Sequence, residues 1–166
     1  MDLLFSTCAA IAVLATALAI SRPDPVHALL NLIVSLLATA GVMFSLGAAL
    51  AAALQVLVYA GAIMVLFVFV VMLLNAGPEA RERERRLLRP RYWLLPSAMC
   101  AVLLAQLLYG MATPAVAPAA GIAVEAKAVG IRFYGPYLLA VELGSFLLLA
   151  GLVAAWRIGR MPERTA

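Results

Sequence analysis

Long apolar runs, interrupted by charged residues at only a few points, decide what this chain can fold into. Of its 166 residues, 66% are hydrophobic and 12% are charged, whereas an ordinary globular protein is about 45–50% apolar and about 25% charged. A soluble domain of this size could not remove so much apolar surface from water. We therefore expect lipid to surround most of the chain, which excludes a self-contained soluble active site.

Five of these runs are long enough to cross a bilayer, which takes about 20 helical residues. They lack the alternation of a membrane β-barrel, and backbone groups in lipid must be hydrogen-bonded internally, so each run is predicted to be an α-helix. The predicted fold is an all-α polytopic membrane protein with one domain over residues 1–166. Its five transmembrane helices are predicted at residues 3–20, 26–46, 51–74, 92–112 and 137–156.

The basic residues predict the orientation of the chain in the membrane. Six arginines lie in the loop at 75–91, and three more follow the fifth helix. Because basic residues concentrate in cytoplasmic loops, we expect a periplasmic N-terminus and a cytoplasmic C-terminus. Glutamates alternate with the loop arginines, which favours a solvated connection over a nucleic-acid or lipid-headgroup patch.

The loop at 113–136 is rich in Ala, Pro and Gly and is predicted to be periplasmic, and either irregular or covered by a partner.

Glu142 is the one acidic residue well inside a predicted span. A carboxylate at that depth is costly in hydrocarbon and is by default a functional candidate. Ser145, three residues later, shares its helix face. The residue pattern supports two interpretations equally: a proton relay, or a neutral carboxyl group hydrogen-bonded to a neighbouring helix.

The third span has an unusual centre. Gly61 lies near its midpoint and is followed by β-branched and aromatic residues, both of which weaken a helix. Gln55 and Tyr59 are four residues apart and are predicted to share a face beside this weak point, where they could hold water. From spacing alone, the small residues at 60–62 are more typical of a close-packing notch than of a hinge.

Two further amides, those of Asn31 and Gln106, lie in other spans and favour hydrogen bonds between helices.

The sequence offers little for redox or metal chemistry. Its two cysteines are predicted at depths that differ by roughly 10 Å, too far for a disulfide. There is one histidine, and no cysteine spacing or glycine-rich turn that would hold an iron–sulfur cluster, flavin or nicotinamide. One deep carboxylate and one central tyrosine are also too few for an independent ion pump. We expect the chain to act inside a larger assembly.

Three blocks carry a resemblance to a known family. They are Asp-Pro-Val-His-Ala-Leu-Leu-Asn at 24–31, the third-span block at 58–75, and Phe-Tyr-Gly-Pro-Tyr-Leu-Leu-Ala-Val-Glu-Leu-Gly-Ser at 133–145. With the five spans, they resemble the subunit J family of bacterial respiratory complex I, the proton-pumping NADH-quinone oxidoreductase, whose mitochondrial counterpart is subunit 6. The resemblance implies a non-redox subunit of that enzyme in the bacterial inner membrane.

The resemblance also implies cofactors and partners. FMN, iron–sulfur clusters, NADH and quinone would be bound by other subunits, and none by this chain. The partners would be the bilayer and the membrane subunits that correspond to bacterial subunits A, H, K and N, with no nucleic acid.

In this family the third span carries a π-bulge, whose change to a regular α-helix is linked to opening a water path from the quinone site. Several members have Glu at position 55, where this chain has Gln. No catalytic, cofactor or metal residue is implied here. The segment that switches would comprise Tyr59, Gly61, Met64 and Val65, and the proton-path candidates are Glu142, Tyr59 and Gln55.

Two other interpretations of the residues remain open. One is an independent oligomeric transporter that uses Glu142 as its proton-coupled carboxylate. The other is a purely structural spacer subunit. The spacer interpretation predicts that Gly61→Leu disturbs assembly but leaves coupling intact in every complex that still forms.

Overall fold

The structure is a computed structural model that describes residues 2–22, 25–74, 90–112 and 123–160. These residues form helices and turns, without a β-strand in this part of the chain. The helices are α1 (Asp2–Ser21), α2 (Pro25–Ser45), α3 (Ala49–Leu54), a π-helix (Gln55–Ile63), α4 (Met64–Leu74), α5 (Pro90–Ala112), α6 (Ala126–Phe133) and α7 (Leu138–Gly159).

Five helical stretches are long and apolar enough to cross a membrane, which confirms the predicted all-helical, five-span chain over the described residues. The third of them, here called the third span, is Ala49–Leu74 and joins α3, the π-helix and α4 end to end. The others are Leu3–Ser21, Pro25–Ser45, Trp93–Gly110 and Leu138–Gly159. Most of the predicted arginine-rich loop lies outside the described residues. Its last two residues already belong to α5, which begins at Pro90, because proline suits the first position of a helix.

A tight turn sets the start of the third span. Gly47 has a positive φ of 86°, a conformation that costs glycine little. Its N–H donates to the carbonyl of Phe44 at 3.0 Å, and the N–H of Ala48 donates to the carbonyl of Met43 at 3.0 Å. This is the Schellman arrangement, which satisfies the last carbonyls of a helix. The turn is further held by Val124, whose N–H donates to the carbonyl of Gly47 at 3.0 Å.

Helix α2 is the centre of the first compact unit, Met1–Val124. It packs along α1 and also contacts α3, the π-helix, α4 and α5, while α1 contacts α5. At the α2–α5 contact, the rings of His27 and Trp93 meet edge to face with centroids 6.2 Å apart. The apolar core between α1, α2 and α5 consists of Ile11, Ala15, Val34, Ala38 and Met99.

The second compact unit is Glu125–Ala166. It contains α6, a turn at 134–137 and α7. The helix α6 lies within the predicted loop at 113–136, for which an irregular structure was one of the two expectations. The stretch at 126–133 contains one glycine and no proline, whereas the other Pro and Gly residues of the loop lie at 114–121 and 135–136, so composition averaged over the whole loop concealed the helix. Residues 113–122 lie outside the described part.

Candidate gating segment in the third span

A nine-residue π-helix, Gln55–Ile63, interrupts the third span. At its end the N–H of Met64 donates to the carbonyls of Tyr59 and Gly61, five and three residues earlier. Hydrogen bonds to the residue five positions earlier define a π-helix. π-Helices are rare, and most are single turns within α-helices, frequently at functional sites. The resemblance places a π-bulge in this same segment.

The buried face of the third span shows how the π-helix changes the register of the side chains. The third span packs against α2, and its buried residues are Ala52, Gln55, Ala60 and Met64. The intervals between them are three, five and four residues. Intervals of three or four keep a regular α-helix on one face, so the interval of five between Gln55 and Ala60 is the extra residue of the π turn.

The prediction that Gln55 and Tyr59 share a face is wrong for this structure. Gln55 is 9% exposed, whereas Tyr59 is 51% exposed. Ala60, at 8% exposed, holds the buried position that Tyr59 would have in an α-helix. The prediction assumed the α-helical spacing of four residues, and the wider π turn places the fifth residue, not the fourth, on the same face.

At Gly61 the backbone of the π-helix leaves little room for a side chain. A Cβ atom built at this glycine would lie 3.1 Å from the carbonyl oxygen of Val56, five residues earlier. This is closer than ordinary van der Waals contact, so a side chain here would have to displace the backbone by a few tenths of an ångström. In contrast, a Cβ at Gly110 in α5 would have no neighbour within 4 Å. Glycine at 61 therefore has a local steric reason.

The remaining predicted site residues differ in how much of each side chain is exposed. Met64 is buried at 8% exposed and continues the face toward α2, whereas Val65 is 63% exposed. Glu142 lies on α7 in the second unit, and its side chain is exposed. The structure thus brings Gln55 and Met64 onto one buried face of the third span, and leaves Tyr59 and Val65 outside it.

Polar contacts between α1 and α5 were not predicted in detail. The amide of Gln106 donates through Nε2 to Thr7 Oγ1, and the thiol of Cys8 donates to Gln106 Oε1 at 3.2 Å. The sequence indicated an interhelical bond for Gln106 but named no partner. Asn31 behaves differently from the prediction, because its Nδ2 donates to the carbonyl of His27 in its own helix at 2.8 Å.

A second polar contact joins α1 to α2. The hydroxyl oxygens of Thr16 and Ser35 are 2.7 Å apart, and Ser35 Oγ also lies 3.1 Å from the carbonyl oxygen of Ala12. Single Ser and Thr residues are common in membrane helices, so no signal in the sequence distinguished this pair. Among the described residues, no group of three His, Cys, Asp or Glu side chains could hold a metal ion.

Comparison with known proteins decides the family. The model of the NADH-ubiquinone/plastoquinone oxidoreductase chain 6 family matches residues 15–158, which include the π-helix and Glu142. This chain belongs to that family.

Family members similar to the chain include three proteins named NADH-quinone oxidoreductase subunit J. The one from Pseudomonas aeruginosa is 58% identical over 165 residues, which cover 99% of each chain. The one from Escherichia coli K12 is 53% identical over 160 residues, covering 96% of this chain and 87% of its own. The one from Buchnera aphidicola of Acyrthosiphon pisum is 43% identical over 159 residues, covering 96% and 94%.

Proposed function

We propose that the chain is a subunit of the membrane arm of NADH-quinone oxidoreductase, complex I, and that its third span is a switch between a π and an α register. The subunit assignment is supported by the family and by the relatives named subunit J. The observation that carries the switch is the π-helix at Gln55–Ile63, with the five-residue interval on its buried face.

The two registers differ by one residue. Removing the extra residue of a π turn rotates one flank of the helix against the other by about 100°, the angle per residue of an α-helix. If α3 stays in place, Tyr59 replaces Ala60 at the face toward α2. If α4 stays in place, Val56 replaces Gln55 there. Such registers need differ by only a few kcal/mol for a distant event to bias them.

The α register has a chemical consequence when α3 is the fixed flank. Gln55 and Tyr59 are then four residues apart on one regular helix and share a face. The amide and the phenol together offer both donors and acceptors in a place where the π register presents the methyl group of Ala60. We propose that the α register is the state that holds water beside α2, and that the π register interrupts this path. Gly61 permits the π turn, while Met64 and Val65 are carried by the rotation.

The rest of the assignment follows from the family resemblance. We propose that NADH, FMN, iron–sulfur clusters and quinone are bound by other subunits, and that this chain contacts those corresponding to subunits A, H, K and N. The chain would lie in the bacterial inner membrane with its N-terminus in the periplasm, as the arginine distribution favours. Glu142 remains a proton-path candidate.

Deletion of Val58 is the sharpest test of the switch. It removes one residue from the π-helix, so that Ala52, Gln55, Ala60 and Met64 become spaced by three, four and four residues. These spacings suit a regular α-helix with both flanks in their present places. We therefore expect the subunit to assemble, while NADH-driven quinone reduction coupled to proton translocation falls at least about tenfold, because the third span can no longer change register.

Deletion of Leu74, the last residue of α4, is the control. It shortens the same span by one residue at its end and leaves the register of the π-helix and of the rest of α4 unchanged, so coupled activity should be retained. Assembly is measured by NADH oxidation with an artificial electron acceptor and by the amount of the subunit in the purified complex. Normal coupling in the Val58 deletion would overturn the switch and favour a spacer. Recovery of the native chain without any NADH-oxidising complex would overturn the subunit assignment and favour an independent transporter.

A further inference from the structure

Helix α7 presents a carboxylate from an otherwise apolar surface. Its 22 residues, Leu138–Gly159, extend about 33 Å and match the thickness of a bilayer. None of its residues is buried within the chain, and large apolar side chains such as Leu143, Phe146 and Leu147 are exposed along it. Glu142 lies about one turn inside this helix, where an unpaired carboxylate facing lipid is costly.

Ser145 adds a second acceptor to the same face. Its Oγ donates to backbone carbonyls of its own helix, at 2.8 Å to Glu142 and 3.2 Å to Val141. The hydroxyl proton is therefore committed to the backbone, and the oxygen is left to accept. Together with the carboxyl group of Glu142, three residues earlier along the helix, it forms a small face whose oxygen atoms can accept hydrogen bonds. The complement of such a face is a side chain with several donors and a positive charge.

Within the five described spans the one lysine or arginine is Arg157, near the far end of α7. Arg157 is fifteen positions from Glu142, or about 22 Å along the helix. In the described part of the second unit, the basic residues of α6, Lys127 and Arg132, form no ion pair with Glu142.

We propose that the face of α7 formed by Glu142 and Ser145 docks onto a transmembrane helix of another subunit, which carries a lysine or arginine at that depth. The positive charge would neutralise the carboxylate and donate to both acceptors, leaving neither exposed to lipid. Breaking such a pair from one side leaves an uncompensated charge, so the docking should depend strongly on the sign of the charge at 142. The inference rests on the proposed membership in the complex, and is independent of the switch in the third span.

Photochemical crosslinking in the purified complex identifies the partner. A benzoylphenylalanine replaces Phe146, an exposed aromatic residue one turn from Glu142, while the native charges are kept. The expected product joins this chain to a transmembrane segment of another subunit that contains a lysine or arginine. A product with a lipid, or with a segment that has no basic residue, would overturn the proposal.

Charge exchange then tests the pairing. We expect Glu142→Arg to reduce the amount of this subunit in the complex at least about tenfold, and replacement of the crosslinked basic residue by glutamate to restore it. Glu125→Arg, the same change at an exposed acid outside the spans, is the control and should assemble normally. A Glu142→Gln variant that assembles as stably as the native chain, yet moves fewer protons per electron, would instead assign Glu142 to a proton path. Failure of the native chain to co-purify with an NADH-oxidising complex would overturn the proposed function itself.

Discussion

Two regions of the first unit are held together in different ways. Helices α1, α2 and α5, here called the platform, are joined by directional side-chain hydrogen bonds, from Gln106 to Thr7 and between Thr16 and Ser35. The third span packs against the same α2. Among the described residues, however, no side chain of the third span makes a hydrogen bond to another helix.

This difference distinguishes the platform from the third span, the part that would move in the proposed change of register. A hydrogen bond between helices specifies one register, because a shift of one residue moves donor and acceptor apart. The buried side chains of Ala52, Ala60 and Met64 are apolar and can make only van der Waals contacts, which have no preferred direction and can be re-formed by other apolar side chains. The proposed exchange of registers in the third span would therefore break no side-chain hydrogen bond to another helix, and the platform would stay in place.

Substitution of Gly61 is expected to have the largest effect on activity, and it changes the third span without changing the platform. In Gly61→Val, the new Cβ lies 3.1 Å from the Val56 carbonyl oxygen, which disfavours the π register relative to the α register. We expect coupled quinone reduction to fall about tenfold or more, equivalent to ~1.4 kcal/mol, in a complex that still assembles. Gly110→Val, which meets no neighbouring atom at its Cβ, is the control. Equal activity in the two variants would contradict a register change at Gly61.

A steric change inside the platform should affect stability instead of coupling. A Cβ added in Gly41→Ala lies only 2.7 Å from Cys8 Sγ, so the thiol must move and its bond to Gln106 is lost. We expect a cost of about 1–3 kcal/mol, measured as earlier loss of the subunit from the complex on heating in detergent. Cys8→Ala in the same chain removes the obstructing sulfur and should recover most of the stability. A loss that persists in the double variant would show that Cys8 is not the obstacle.

The smallest effect is expected for the hydrogen bond between α1 and α5. The variants Thr7→Val and Gln106→Leu, measured singly and together by the same heating assay, form a double-mutant cycle. We expect a coupling energy of about 0.6 kcal/mol, the average for bonds between membrane helices, and an unchanged number of protons moved per electron. A change in that number would show that the platform takes part in gating, and the distinction between the two regions would then fail.

The third span shows which features of the candidate site could be predicted from the sequence. The weak centre at Gly61 could be recognised, because glycine and β-branched residues have known effects on helices. The helix faces on which Gln55 and Tyr59 lie could not be predicted, because they depend on whether four or five residues complete a turn. No local residue preference decides this, since the buried positions are chosen by contact with α2.

The contacts of Gln106 show the same limit for the platform. A single amide in a span indicated a bond to another helix, but the sequence did not indicate that Thr7 and Cys8, about a hundred positions earlier, would be its partners. The helix α6 was missed for another reason, since the prediction averaged composition over the whole loop, although the stretch at 126–133 contains one glycine and no proline.

What the sequence alone determined was the number of spans and their helical character. Lipid offers the backbone no hydrogen bonds, so apolar runs of this length have to form helices wherever they lie. Only the tertiary structure decided the register of the third span and the partners of the polar side chains. Those features depend on which surfaces meet across helices far apart in the chain, where small differences in packing energy select one arrangement among several that the same helices allow.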